Sequence, residues 1–339
     1  MAHDVIICGD ARRMDALDAA SVQLVVTSPP YNVGKAYATH DDSLPLDEYL
    51  AFLNQVWREC YRVLAPGGRL CINVANTDRK PYLPLNALIT AELLRMARDE
   101  GLGWQMRGEL IWDKGSSAGV STAWGSFASS TDPVLRDVHE YIMIFSKEQF
   151  RLESGGKTGI SGGQFVDWTR SIWRPEEIDG PSPAVDGRPP VDGAGAAQQS
   201  GEPSGGAGTG RSLEALQRKL AGKLKEARQR GKDDQWIAES LARAAWQYAS
   251  TPGEGIWFMT TESGVAHPAP FPVELPRRLI LLYTRPGDLV LDPFMGAGAT
   301  AVAAVQTGRR YAGYDLSEEY CALARRRVAT SKQAGKENS

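Results

Sequence analysis

Two periodicities alternate along this chain. Short apolar runs at Asp4 to Cys8, Leu24 to Val26, Arg69 to Val74, Glu109 to Trp112, Tyr141 to Phe145, Leu289 to Leu291 and Arg310 to Asp315 are bounded by turn-forming or charged residues, which predicts buried strands. Between them, Leu50, Leu53, Val56, Trp57 and Tyr61 recur at helical spacing. They predict a helix from Leu46 to Leu64, stopped by Pro66-Gly67-Gly68. Further helices are expected from Leu83 to Glu100, from Val273 to Tyr283, and from the turn at Gly296-x-Gly298 to about Thr307; Ala11 to Ala20 reads as a short helix or a turn. Strand alternating with helix predicts an α/β fold built on a doubly wound, mostly parallel sheet. The strands at 109–112 and 141–145 are joined by a loop, Gly115 to Asp137, rich in Ser and Gly and carrying Trp124 and Phe127.

Composition breaks this pattern once. From Asp179 to Gly210 the chain is mostly Gly, Pro, Ala, Ser and Asp, which predicts a flexible linker or a disordered insertion. Between Arg211 and Lys232 eight basic residues, among them Lys219, Lys223, Arg228 and Arg230, face two acidic ones, while Leu213, Leu216, Leu220 and Leu224 share one helical face. A second helix, Asp233 to Tyr248, carries Trp236, Ile237, Leu241 and Trp246. This basic pair reads either as a tethered DNA-contacting module or as an amphipathic hairpin packed on the core. Net charge over the 339 residues is −3, so any nucleic-acid contact has to come from such a local patch. Cys8, Cys60, Cys71 and Cys321 lack metal-type spacing and read as reduced thiols, with Cys8, Cys71 and Cys321 in buried runs. No metal site is expected. Without a signal peptide or a run of membrane-spanning length, a soluble cytoplasmic protein with no membrane contact is expected.

The chemistry-bearing residues stand where the strands end. In open α/β sheets ligands bind outside the carboxyl ends of the strands, which makes Asp10 a ligand candidate, with capping of the following segment as its alternative. After Leu24 to Val26 comes Thr27-Ser28-Pro29-Pro30-Tyr31-Asn32. The two prolines stiffen the backbone and leave carbonyls without matching N–H groups, Ser28 adds a hydroxyl and Tyr31 a flat ring, so the loop can form an acceptor-lined slot for a planar base bearing an amine. Alone, the tetrapeptide reads as a proline-stiffened surface turn, and it is the rest of the chain that overturns that reading. Lys35 and Tyr37 follow in a polar run that reads as a flap over that slot. Asp292-Pro293-Phe294-Met295-Gly296-Ala297-Gly298-Ala299-Thr300 joins a strand to a helix through glycines that let a ligand approach closely, and Asp315 ends the next strand. The third glycine of a dinucleotide fingerprint is absent, Ala301 standing there, and two carboxylates beside the ligand suit a ribose and a cationic amino-acid group better than a pyrophosphate. S-adenosylmethionine meets that demand.

Asp292-Pro293-Phe294-x-Gly296-x-Gly298 near the end, preceded by His267-Pro268 and Phe271-Pro272 and combined with Ser28-Pro29-Pro30-Tyr31 near the start, resembles the DNA amino-methyltransferases of the beta arrangement, in which the catalytic half precedes the cofactor half. Gly9-Asp10, Leu64-x-Pro66-Gly67-Gly68, Glu109-Leu110-Ile111-Trp112-x-Lys114 and His139-Glu140-Tyr141 through Lys147 keep the same order. The resemblance implies a Rossmann-like methyltransferase fold, with catalytic residues Ser28, Pro29, Pro30 and Tyr31. It implies S-adenosylmethionine held by Asp10, Thr27, Phe271, Pro272, Asp292, Pro293, Phe294, Gly296, Gly298, Thr300 and Asp315, with Asp315 on the ribose, Asp10 near the adenine and Asp292 near the methionine end. DNA contacts are expected from Lys35, Tyr37, Trp124, Lys219, Lys223, Arg228 and Arg230. Many relatives have Thr where Ala299 stands, which removes one hydroxyl contact, although Thr300 remains.

The expected organisation is a catalytic half over 1–178, a linker and basic target-recognition insertion over 179–254, a cofactor half over 255–330 and a disordered tail over 331–339. The expected substrate is double-stranded DNA, with a flipped base methylated directly on its amine; no Pro-Cys dipeptide stands ready for ring-carbon attack. Ser at position 28 points, through the resemblance, to N4 of cytosine, with adenine N6 as the alternative and an RNA or protein substrate as a more distant one. A homodimer and a cognate restriction endonuclease are partners that the resemblance leaves open.

Overall fold

The computed structural model describes residues 3–32, 43–77, 82–114, 130–131, 137–173 and 271–337. By contacts the chain divides into two units, Met1–Pro175 with Trp257–Ser339 and, separately, Glu176–Ile256. The second lies outside the described residues, as do Lys35, Tyr37, Trp124, the Asp179 to Gly210 stretch, the basic helical pair with Lys219, Lys223, Arg228 and Arg230, and His267-Pro268.

The described elements run β1 (Val5–Cys8), β2 (Val22–Thr27), α1 (Leu46–Val63), β3 (Leu64–Val74), α2 (Leu85–Asp99), β4 (Trp104–Asp113), β5 (His139–Lys147), α3 (Gly162–Trp168), β6 (Ile172–Trp173), α4 (Glu274–Tyr283), β7 (Leu289–Asp292), α5 (Ala299–Gln306), β8 (Arg310–Asp315) and α6 (Glu318–Glu337). They build one eight-stranded sheet ordered β1-β8-β7-β2-β3-β5-β4-β6. Successive strand residues alternate between its two faces. Val25, Leu70, Ile72, Leu291 and Phe145 join Trp57, Leu53, Ile89 and Leu93 from α1 and α2 on one side. Leu24, Val26, Cys71, Val290 and Ile144 join Leu279, Ala303, Cys321 and Ala324 from α4, α5 and α6 on the other. Helices therefore cover both faces, and the central strands read as continuous apolar runs.

Four differences from the sequence reading have local causes. First, α1 ends at Val63 and passes directly into β3. Pro66-Gly67-Gly68 is instead an excursion within the strand, where the register against β2 jumps from Val22 opposite Leu64 to Leu24 opposite Arg69. Gly67 has φ +75°, and a Cβ there would lie 2.0 Å from the Arg151 carbonyl oxygen, so only glycine fits. Second, β4 starts at Trp104, well before Glu109, because a bulge at Arg107-Gly108 interrupts the apolar alternation without ending the pairing. Third, β5 runs antiparallel to both β3 and β4, so the sheet is mixed on this side. Fourth, α6 continues to Glu337, so the tail expected from residue 331 is mostly helical. Cys8 is also corrected: it ends the edge strand β1 and is exposed, while Cys60, Cys71 and Cys321 are buried, and all four are free thiols.

Among the described residues no helix is long and apolar enough to cross a membrane, and no cluster of His, Cys, Asp or Glu could hold a metal ion.

Candidate active site

Strands β1, β8, β7, β2 and β3 are mutually parallel, so their C-terminal ends share one edge. Antiparallel β5 brings its N-terminal end there, and β4 its C-terminal end. Asp10, Asp315, Asp292, the Ser28 to Tyr31 loop, Asn73, Lys114 and Glu140 consequently gather along a single rim. Between β7 and β2 the connections diverge, β2 leading outward to β3 and β7 outward to β8. Such a switch point opens a crevice in an α/β sheet. The short turn from α4 into β7 makes that helix run back against the strand, which returns Phe271 and Pro272 to the same rim.

On the β7 side, Asp292 is fully buried. Its Oδ1 accepts from Thr27 Oγ1 at 2.8 Å and from the Phe294 N–H at 3.0 Å, and its Oδ2 accepts from Thr300 Oγ1 at 2.7 Å. Burial pushes its pKa up to about 6 against these stabilising hydrogen bonds. Thr27 and Thr300 are fully buried as well. Together these three side chains join β2, β7 and α5 beneath the glycine loop. Phe294 packs between Phe52 and Trp57, with ring centroids 6.0 and 6.3 Å away. The Gly296 N–H donates to Asp315 Oδ2 at 2.9 Å and the Ser317 N–H to Oδ1 at 2.8 Å. Partial burial raises the Asp315 pKa from its ordinary value, and those two hydrogen bonds oppose the rise. Beside it, Leu316 is 43% exposed, an apolar surface at the rim that the sequence reading missed. Asp10 accepts from the Arg12 N–H at 2.9 Å and from its guanidinium, and hydrogen bonding to that guanidinium holds its pKa low.

On the β2 side, Ser28 Oγ lies 3.1 Å from the Tyr31 hydroxyl, which donates to Glu140 Oε2 at 3.0 Å. Asn73 Nδ2 donates to Glu140 Oε2 at 2.6 Å and reaches the Tyr31 hydroxyl at 3.4 Å, and Lys114 Nζ donates to Glu140 Oε1 at 2.8 Å. Burial, and then the Glu140 charge, raises the Tyr31 pKa well above its ordinary value. The Pro30 carbonyl is not free as expected: Tyr49 Oη donates to it at 2.7 Å. Among the described residues no hydrogen bond reaches the Pro29 carbonyl. Glu140, Lys114, Asn73 and Tyr49 had no assigned role in the sequence. The available signal was a glutamate opening an otherwise apolar strand, since a buried charge demands a partner.

Comparison with known proteins decides the family. Residues 22–326 match the N6_N4_Mtase family, DNA methylase. The chain belongs to that family. The methylase is 25% identical over 350 residues to the type II methyltransferase M.MjaI of Methanocaldococcus jannaschii, covering 92% of this chain and 87% of the relative. It is 24% identical over 329 residues to the DNA adenine methyltransferase YhdJ of Escherichia coli, covering 95% and 82%. Among solved structures, TTHA0409 of Thermus thermophilus matches at 25% identity and TM-score 0.55, covering 96% of the methylase and 94% of that chain. The cytosine-N4-specific PvuII DNA methyltransferase shares the fold at 16% identity and TM-score 0.53, covering 98% and 92%.

The methylase is thus a DNA methyltransferase that uses S-adenosylmethionine. The rim suits that donor chemically. A half-buried carboxylate at Asp315, an apolar surface at Leu316 and a close glycine turn suit a nucleoside.

Proposed function

We propose that this methylase transfers a methyl group to the exocyclic N4 of cytosine in duplex DNA, with the base flipped into the crevice between β2 and β7. The observation that carries this reading is Ser28, a neutral hydroxyl beside the unengaged Pro29 carbonyl at the end of β2, facing the glycine loop across the switch point. An exocyclic base amine is a poor nucleophile because its lone pair is delocalised into the ring. Ser28 Oγ and the Pro29 carbonyl accept hydrogen bonds from its two N–H groups and favour a pyramidal nitrogen aimed at the methyl group, so that positioning and electrostatics supply the rate; one of the two protons is released once the methyl group is bound. The Tyr31 ring forms the wall on which the base stacks.

S-adenosylmethionine supplies a sulfonium-activated methyl group when bound. Asp315 accepts from its ribose hydroxyls, Leu316, Phe271 and Pro272 flank its adenine with Asp10 nearby, and the Phe294 to Gly298 loop approaches its tail. Asp292, Thr27 and Thr300 hold that loop in place, and Pro293 stiffens it. Lys35, Tyr37 and Trp124 contact DNA, and residues 179–254, with Lys219, Lys223, Arg228 and Arg230, form the target-recognition region. The likeness to type II methyltransferases supports a cognate restriction endonuclease as partner and a cytoplasmic location.

Nucleoside mass spectrometry of DNA methylated by the purified protein tests the product. N4-methylcytosine is expected, abolished with Ser28→Ala. N6-methyladenine as the dominant product overturns the cytosine assignment, a reading that the likeness to YhdJ favours. Ser28→Ala with parent activity overturns the mechanism.

A further inference from the structure

The hydrogen-bond chain behind Ser28 has a direction. Glu140 is ion-paired with Lys114 and offers only acceptor oxygens to its other neighbours. Both Asn73 Nδ2 and the Tyr31 hydroxyl point at the same atom, Oε2, at 2.6 and 3.0 Å. A phenol has one proton, and here it is spent on Glu140. The 3.1 Å contact between Ser28 Oγ and the Tyr31 hydroxyl must then be a donation from Ser28. Written the other way, the phenol oxygen and the carboxylate oxygen would face each other lone pair to lone pair at 3.0 Å within a buried site. With its only hydrogen committed to Tyr31, Ser28 turns lone pairs alone toward the crevice.

We propose that Glu140 is a positioning residue that, through Tyr31, makes Ser28 an obligate acceptor and so restricts the crevice to bases bearing an exocyclic amine where the deaminated base carries a keto oxygen. The inference rests on the assignment of the Ser28 loop as the amine site and deepens it. Glu140 never touches the base; it sets which way two hydroxyls point. An amine donates to Ser28 and to the Pro29 carbonyl. A keto oxygen at the same place meets two acceptors and no donor. The device explains how a neutral hydroxyl, able in principle to donate or accept, discriminates between the two.

Glu140→Gln reverses the chain. Lys114 needs an acceptor, so the amide oxygen turns to it and Nε2 faces Tyr31. The phenol then donates to Ser28, and Ser28 points its hydrogen into the crevice. The test measures binding of duplexes carrying the methylation site with either the normal target base or its deaminated counterpart, uracil for cytosine or hypoxanthine for adenine, together with kcat. The parent is expected to favour the amino base at least about tenfold, as unmatched polar groups disfavour the wrong ligand. Glu140→Gln is expected to lose or invert that ratio and to lower kcat about a hundredfold, the scale of one misplaced hydrogen bond at a reacting centre. Tyr31→Phe leaves the Glu140, Lys114 and Asn73 cluster whole and is also expected to lose the ratio; adding Glu140→Gln to it changes neither ratio nor kcat further, because the link is already cut. A purely structural Glu140 would give additive losses and an unchanged base ratio. If Glu140→Gln fails to fold, parent-like discrimination by Tyr31→Phe overturns the proposal. If Ser28→Ala is inactive while Glu140→Gln keeps the parent rate and ratio, this inference alone fails; if Ser28→Ala is fully active, the assignment of the loop fails first.

Discussion

Asp292 is a carboxylate that the protein keeps dry and fully hydrogen-bonded at the centre of its site. Its pKa of about 6 lies above the ordinary value of 3.8, which means the folded state holds a proton there that the unfolded chain has already released. The sign follows directly: its contribution to stability is fully present below about pH 4 and is lost as pH rises through 6, to the extent of ~3 kcal/mol, at 1.36 kcal/mol per pKa unit. Asp292→Asn removes the titration, so its unfolding free energy should decline less than the parent's between pH 4 and 6; parallel denaturant titrations across that window check it, and identical slopes would show that Asp292 does not titrate there. Residue identities at strand ends were legible in the sequence. Their orientations were not: nothing local to Asp292 tells that its carboxylate turns inward to Thr27 and Thr300, residues brought to it by β2 and α5. The same holds for Glu140, whose partners Tyr31, Asn73 and Lys114 are assembled by the register of β3, β5 and β4 and by the loop after β2.

At the level of elements, α5 is eight residues long and is preceded by Gly298 at its N-cap, which has φ +83° and makes no side-chain cap hydrogen bond. A Cβ at that position would lie 2.7 Å from the Ala324 Cβ and 3.0 Å from its Cα, so the glycine is what lets α6 pack against the mouth of α5. Gly298→Ala should cost about 1–3 kcal/mol from left-handed strain and overpacking together, lowering the melting midpoint by several degrees and weakening S-adenosylmethionine binding as the loop shifts. Calorimetry on the purified variant reads both, and parent-like values would show that α6 yields without strain. The glycine turn was visible as a motif, but its second reason, the approach of α6, depends on a residue in the following helix. The strands and helices over the parallel part of the sheet were likewise legible because each has one clean period. The short β6 and α3 were not, since two paired residues and seven helical ones carry too little periodicity. Nor was the direction of β5, which is set by its pairing with β3 and β4, strands distant in the sequence.

For the whole molecule, the proposed DNA grip lies in the basic stretch of the inserted region, and its signature is thermodynamic. Replacing Lys219, Lys223, Arg228 and Arg230 together by neutral residues should weaken DNA binding and flatten its salt dependence, each lost phosphate contact removing about one released counterion from the slope. Titrations at several salt concentrations decide it, and an unchanged slope would make those helices scaffold. The sheet order carries a different consequence, for biosynthesis. Among the described residues β1 pairs only with β8, and the inner edge of β2 only with β7, so two strands wait for partners that are made much later in the chain. A nascent chain that has already displayed Ser28, Tyr31 and Glu140 therefore still has an open sheet edge and no pocket for the methyl donor. Closure of the sheet comes late and over long sequence separation, the slow kind of folding step. Until then the unpaired edges of β1 and β2 are open to edge-to-edge association with other chains.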